Sequence, residues 1–344
     1  METVLTDARV GTADEEFGGT VVIKDGVIFD IKKADAKPPV PKMWTAIISF
    51  PVLLICIRMR WRSRCCRGRT YLGTRSPPPS PMMRTRPLRQ SSMVFGSLAA
   101  GASVAHPERN ETLKLMIDSL HRTQEMDLLC GEHFVHLRCE VTDPMVMELF
   151  HDVIDHPSIR FMSVNDHAPG HRQYPDMDYY REKHIKNCGL NDKEMDDFVA
   201  LIQEQSQKFG PERRAELVPM AQSRKIPAAS HDDRTAEEGM MVAEFPITFE
   251  AIGFARERGL KVLAGGPNLC RGSSHHPGNL LTDDEFRFST PAAIPIGWKN
   301  PATFADLTDH GEIAASKRAD LAQVKNVDGI PAARRVWVKG ERGA

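Results

Sequence analysis

Apolar and polar positions along this chain form short runs that switch repeatedly between the alternation of strands and the three-to-four spacing of helices. Near the start, TVVIKDGVIFDI (Thr20 to Ile31) holds two β-rich runs around Lys24-Asp25-Gly26, a tight-hairpin signature. Leu113, Met116, Ile117 and Leu120 recur at helical spacing and predict a helix over Asn110 to Met126. HFVHLRCE (His133 to Glu140) reads as a strand, followed by a helix from near Asp143-Pro144 that carries Met145, Met147, Leu149 and Phe150. IRFMSVNDH (Ile159 to His167) is a further strand, and a polar helical excursion runs from Tyr174 to Phe209. ERRAELVPMAQSRK continues as helix despite Pro219, and IPAASHDD (Ile226 to Asp233) and MVAEFP (Met241 to Pro246) read as short strands. ITFEAIGFARERG is a helix ending at Gly259, and LKVLAGGPN a strand. Strands alternating with helices argue for parallel βαβ units. No short-period repeat is present.

One segment breaks the pattern. From Ala36 to His106 there is not one Asp or Glu, although acidic residues elsewhere come about once in six positions. Inside the gap lie WTAIISFPVLLICI (Trp44 to Ile57), then RMRWRSRCCRGR, then SPPPSPMMRTRPLRQSS. A membrane anchor is one reading, but fourteen residues with Pro51 fall short of the about twenty needed to span a bilayer. A disordered basic arm for nucleic acid is a second, opposed by the apolar run. The third, and favoured, is that the segment is read out of frame. Starting each codon at the third base of the one before, Ile55 to Trp61 can spell Leu-His-Thr-Asp-Ala-Leu. That restores a His-x-Asp motif at the end of an apolar strand.

Composition narrows the class. The 344 residues suffice for one large barrel domain plus a small accessory domain. A formal net charge of −1 gives the molecule no bulk electrostatic reason to seek nucleic acid or acidic lipid. The seven cysteines are odd in number and lack CxxC spacing, so a reducing cytoplasm fits better than a disulfide framework or a zinc finger. METVLTDARVGTADEE has no basic-then-apolar signal architecture. Thirteen histidines exceed what structure alone demands, and imidazole is a common ligand for borderline metals.

Several predicted strands end in ionisable residues: Glu140 after HFVHLRC, His167 after FMSVND, and His231 after IPAAS. In a parallel barrel the C-terminal strand ends converge on the face that holds the active site. A carboxylate and two imidazoles meeting there suit zinc or a similar divalent ion. Each also has a structural alternative: Glu140 ending a strand in solvent, His167 steadying the turn at Ala-Pro-Gly, His231 capping a helix with Asp232 and Asp233.

HLRCE, NDHAPGHRQY, ASHDD, AEFPITFEA, GGPNLCRGSSHHPGN and the closing NPATFADLTDHGEIAASKRADL occur in this order. Together they resemble the metal-dependent amidohydrolases, in the branch of diphosphatases that serve bacterial phosphonate breakdown. The likeness runs from about Phe95 to the C-terminus, with weaker support in the N-terminal hairpin. It implies an α/β fold, a (β/α)8-type TIM barrel of the metal-dependent amidohydrolase kind, with a small β-domain from the N- and C-terminal segments, near VWVKGER (Val336 to Arg342). It implies Glu140 as a carboxylate ligand bridging two metals, with His167 and His231 as imidazole ligands and zinc as the expected divalent metal. Arg172, Arg271, Ser273 and His275 become candidates for holding phosphate, since Arg offers a rigid fork to phosphate oxygens. The implied reaction is hydrolysis of a ribose triphosphate to release diphosphate, in the cytoplasm. Its partner is a small phosphorylated sugar, with no nucleic acid or membrane; a homo-oligomer stays open.

The sequence departs from that pattern. The first barrel strand should end in His-x-Asp, but those positions read Cys56 to Met59. An aspartate expected after a late strand, in a Ser-Asp-Tyr context, has no match among the residues joining Asn279 to Asn300, where Asp283 and Asp284 stand in another setting. A smaller contraction follows Thr235. The catalytic residue is therefore unassigned, and the expectation is an incomplete barrel with little or no diphosphatase activity. The expected domains are 1–35 with 305–344 as the β-domain, 36–93 as the out-of-frame segment, and 94–304 as the barrel. Rival functions are an amidohydrolase acting on a cyclic amide, an inactive amidohydrolase-fold binding protein, and a membrane-tethered protein.

Overall fold

A computed structural model describes residues 2–12, 14–34, 46–49, 53–56, 93–101, 108–129, 131–170, 177–178, 180–182, 191–230, 239–245, 249–263, 299–327 and 330–342. Of the anomalous 36–93 stretch, only 46–49, 53–56 and 93 are among them, so the out-of-frame reading lies almost wholly outside the described residues. The chain divides into two compact units: residues 1–96, 119–134 and 288–344 in one, 97–118 and 135–287 in the other.

The first unit is built on a mixed sheet. Strands β1 (Glu2–Gly11), β2 (Glu16–Lys24) and β3 (Val27–Lys33) form an antiparallel meander. The β2–β3 turn is Asp25-Gly26, with φ of 49° and 83°. Positive φ at both central residues matches the right-handed twist of the flanking strands, which is why Asp-Gly is legible as a hairpin. β4 (Ala46–Ser49) runs parallel to β1 and antiparallel to β12 (Leu321–Val327). β12 continues into β13 (Ile330–Val338) and β14 (Glu341–Arg342), giving the order β14-β13-β12-β4-β1-β2-β3. Val10, Val21, Ile23 and Ile28 from the meander pack with Ile313, Ala319, Leu321 and Trp337 in one buried cluster. Segments from both ends of the chain thus share a core.

A second sheet has the order β11-β10-β9-β8-β7-β6-β5. Its strands are β5 (Leu53–Cys56), β6 (Met93–Ala100), β7 (Glu132–Glu140), β8 (Ile159–Asn165), β9 (Ala228–Ser230), β10 (Val242–Glu244) and β11 (Lys261–Leu263). The pairings β5/β6, β7/β8, β8/β9, β9/β10 and β10/β11 are parallel. Helices follow the strands: α1 (Glu108–Glu125), α2 (Val146–Val153), α3 (Asp192–Ser223), α4 (Phe249–Glu257) and, before β12, α5 (Asn300–Phe304). This alternation is the (β/α) barrel arrangement; the described residues supply seven of its strands. Parallel strands covered on both faces read as apolar runs, and Val135, Leu137, Cys139, Phe161, Met162 and Val164 are all buried.

Two helices differ in detail from the sequence expectation. In α2 the buried stripe is Val146, Phe150 and Val153, while Met145 stays 42% exposed before the helix begins. The three-to-four spacing of those residues decides which face turns inward. From Asp192 onward the polar excursion and the segment after it make one 32-residue helix, α3, with Pro211 and Pro219 inside. Asn191 accepts from the Glu194 N–H and the Glu194 carboxylate accepts from the Asn191 N–H, a capping box that fixes its start.

Candidate metal centre

β7 and β8 end level, with Glu140 paired to Asn165. His167 lies two residues beyond, on the loop leaving β8, and this register brings it beside Glu140. The His167 Nδ1–H donates to Glu140 Oε2, and the His167 backbone N–H donates to Glu140 Oε1 at 3.2 Å. Thr142 Oγ1 donates to the same Oε1 at 2.7 Å. Burial pushes the Glu140 carboxyl up, but the charge and hydrogen bonds of His167, with the Thr142 hydroxyl, outweigh it and hold the group below the usual carboxylate range. The result is an ionised carboxylate and an imidazole meeting at adjacent strand ends.

His231 directly follows β9, but it lies outside the described residues, as do Arg172, Arg271, Ser273 and His275. Of the seven sequence-predicted site residues, Glu140 and His167 are therefore the pair whose placement is seen. Among the described residues, no three His, Cys, Asp or Glu side chains gather into a metal-binding group. The donor chemistry of the pair nonetheless fits a divalent cation: one hard carboxylate and one borderline nitrogen, already in contact.

Beneath the pair is a buried polar array that sequence reading did not assign. His136 on β7 is wholly buried, its Nδ1 3.1 Å from Ser97 Oγ and its Nε2 2.8 Å from Ser163 Oγ. Burial, and the nearby Arg138 charge, hold its pKa well below the ordinary value, so the ring is neutral. Ser163 Oγ donates to Asn165 Oδ1 at 3.2 Å. It therefore accepts the Nε2 proton, and Ser97 donates to Nδ1. The ring also stacks on Phe161, with centroids 4.3 Å apart.

Glu244, the last residue of β10, is wholly buried with Oε1 4.0 Å from His136 Nδ1. Burial pushes its carboxyl up to about 7, only partly offset by the charges of Arg138 and His167. The sequence carried a signal: Glu244 interrupts the apolar run Met241 to Pro246, and a carboxylate there is either at the edge or functional.

A stability prediction follows from Glu244. Its folded pKa of about 7 lies above the ordinary glutamate value of 4.5, so between these values the folded state holds more protons than the unfolded one. Stability must then fall as pH rises through that window, by about 3 kcal/mol in total. Glu244→Gln is expected to remove that fall in the metal-free protein. Urea unfolding at pH 5 and pH 8 checks it; equal pH dependence in both proteins would rule it out.

No protein-family model matches the chain. Several solved structures share the fold. An N-acetylglucosamine-6-phosphate deacetylase from Thermotoga maritima aligns over 99% of both chains with a TM-score of 0.54 at 10% identity. A Xaa-Pro dipeptidase crystallised with methionine aligns over 99% of both at 0.55 and 13%. N-isopropylammelide isopropylaminohydrolase from Burkholderia multivorans covers 99% of this chain and 98% of its own, at 0.52 and 12%. These establish the amidohydrolase-type barrel. An alpha-D-ribose 1-methylphosphonate 5-triphosphate diphosphatase from Escherichia coli (strain K12) is 32% identical over 285 residues, 72% of this chain and 75% of that protein. The chain belongs to this diphosphatase family. It is a hydrolase by descent, and Glu140 and His167 stand at the C-terminal ends of parallel strands, the face on which barrel enzymes carry their active sites. Among the described residues no helix is long and apolar enough to cross a membrane.

Proposed function

We propose that this chain is a divalent-metal-dependent diphosphatase acting on a ribose 5-triphosphate bearing a 1-phosphonate, with turnover lowered by the missing first-strand ligands. The observation that carries it is the Glu140–His167 junction at the ends of β7 and β8. Glu140, His167 and His231 would hold the ion, zinc by preference for this mixed oxygen and nitrogen set. When bound, such an ion supplies hydroxide near neutrality and offsets charge on the phosphoryl oxygens. The chain's own residues do the rest. Thr142 keeps one Glu140 oxygen oriented. Arg172, Arg271, Ser273 and His275 are proposed to grip the phosphates, the guanidiniums by two-pronged hydrogen bonds. The substrate is a small phosphorylated sugar, with neither nucleic acid nor membrane as partner, and cysteine usage supports a cytoplasmic setting.

The lowered rate rests on the sequence. The strand next to β6 ends at Cys56, where the family pattern places His-x-Asp. Losing neighbours of a metal ligand alone costs about 10- to 100-fold in affinity or activity, and losing ligands costs more.

The test is purification of this chain with zinc supplied, followed by bound-metal analysis and diphosphate release from a ribose 5-triphosphate. Expected is metal uptake that Glu140→Ala abolishes, with turnover at least about 100-fold below an intact relative assayed alongside. Absent metal and absent release would favour the inactive binding protein. Full metal with ordinary turnover would show that the missing ligands are replaced from elsewhere in the chain.

A further inference from the structure

Both loops that carry the candidate ligands are tied to one stripe of α3. Gln203, Ser206, Gly210, Arg213 and Arg214 recur every three to four residues, so they share a face of the helix. Ser206 Oγ donates to Asp166 Oδ2 at 2.7 Å, and Arg214 Nη2 lies 3.6 Å from the same oxygen. The other Asp166 oxygen accepts the Ala168 N–H at 3.1 Å. Gln203 Nε2 donates to the Pro169 carbonyl at 3.0 Å. His167 is thus bracketed by fixed residues on either side. Arg213 Nη1 donates to the Val141 carbonyl, directly after Glu140. Gly210 brings the helix close: a methyl placed on it would meet Val141 Cγ2 at 3.7 Å and Asp166 Oδ2 at 3.9 Å.

Asp166, Ser206 and Arg214 are each less than a tenth exposed. Burying an aspartate and an arginine costs several kcal/mol per ion unless they are paired and hydrogen-bonded. Apolar contacts would hold a helix on a strand without that cost. What the polar set adds is direction, since hydrogen bonds fix a loop's orientation where packing fixes only its distance.

We propose that Gln203, Ser206, Arg213 and Arg214, acting through Asp166 and the Val141 and Pro169 carbonyls, are positioning residues that set Glu140 and His167 against each other. Their hydrogen bonds reach the residues on either side of the two ligands. One helix holds both the end of β7 and the loop after β8, so the two ligand groups share a support. The metal arm of this inference rests on the proposed function; the pairing of Glu140 with His167 does not.

The experiment therefore has two readouts on the folded, full-length chain. The first needs no metal: nitrogen-15 histidine NMR follows the His167 Nδ1–H that Glu140 accepts, assigned by its loss in Glu140→Gln. The second is cobalt(II) titration, read by its visible absorption. Ser206→Ala and Gln203→Ala each remove one hydrogen bond and leave the fold intact, as circular dichroism will show. Together they are expected to shift or broaden the His167 resonance and weaken cobalt binding about 10- to 100-fold, whereas Ser206→Thr alone, which keeps the hydroxyl, leaves both at the parent values. An unchanged His167 resonance in the folded double variant overturns the positioning role. Should the parent chain take up no cobalt, the metal reading fails, and the NMR arm still decides the inference. Asp166→Asn, which keeps size and loses charge, is expected to give the larger shift.

Discussion

Arg318→Ala is expected to destabilise the first unit by about 3 to 5 kcal/mol, the usual cost of removing one partner from a buried ion pair. Arg318 is 7% exposed and serves two carboxylates at once. Its Nη1 lies 2.6 Å from Glu132 Oε2, its Nη2 2.9 Å from Asp320 Oδ2, and its Nε donates to Asp320 Oδ1 at 3.0 Å. Asp320 is itself 1% exposed and also accepts the Lys339 N–H at 2.9 Å. His310 Nε2 stands 3.7 Å from both Glu132 and Asp320. Burial pushes the Glu132 carboxyl up, but His310, Arg318 and Lys339 outweigh it and hold it well below the usual range. Without Arg318, two carboxylates would face a site that has lost its main counter-charge. Native domains have only about 5 to 15 kcal/mol in hand, so a loss of this size threatens folding at ordinary temperature. Arg318→Lys keeps the charge and loses the fork, and should fall between parent and alanine variant. Urea unfolding measures all three, and a loss under about 1 kcal/mol for alanine would mean that the array is dispensable.

Gly101→Ala should be nearly as damaging, for a different reason, and should reach the metal centre. Gly101 ends the segment after β6 with φ +93°, a conformation L side chains rarely adopt. A methyl there would stand 2.9 Å from Asp143 Cβ and 3.0 Å from Glu140 Cβ. Backbone strain costs on the order of 1–3 kcal/mol, and overpacking a similar amount again. Because Glu140 Cβ and carbonyl oxygen are crowded along with Asp143 Cβ, the strain reaches the ligand residue itself. Gly259 gives the control: its φ is +70° with nothing within 4 Å of an added methyl. Gly259→Ala meets the strain alone, so the difference between the two variants isolates the crowding. Unfolding and metal affinity are both to be measured. Gly101→Ala matching Gly259→Ala in stability, with unchanged metal uptake, would show that Glu140 is not held by this contact.

Reading from sequence worked where local chemistry decides the structure. Asp25-Gly26 announces its hairpin because few residues accept positive φ twice running. The strand-end places of Glu140 and His167 were legible because an ionisable residue at or just after the end of an apolar strand is conspicuous. Their meeting depends on the Glu140–Asn165 register, which no local signal encodes. Gly101 was hidden for the same reason: the glycine is visible, the side chain pressing on it is not. The α3 stripe was harder still. Gln203, Ser206, Arg213 and Arg214 read as a solvated helix face, and only packing shows that the face turns inward. His136 was overlooked because β7 carries other polar residues beside it, and Glu244 although a charged group in an otherwise apolar run is itself a signal.

The mixed sheet has a consequence for how the protein is born. β1, β2 and β3 leave the ribosome well before β12, which pairs with β4, shares their core and is made roughly three hundred residues later. At 5–20 residues per second, that is a wait of roughly fifteen to sixty seconds. For that interval the nascent meander holds Val21, Ile23 and Ile28 without the Leu321 and Trp337 that finally cover them, so chaperone capture of the meander should fall off only as β12 and β13 emerge.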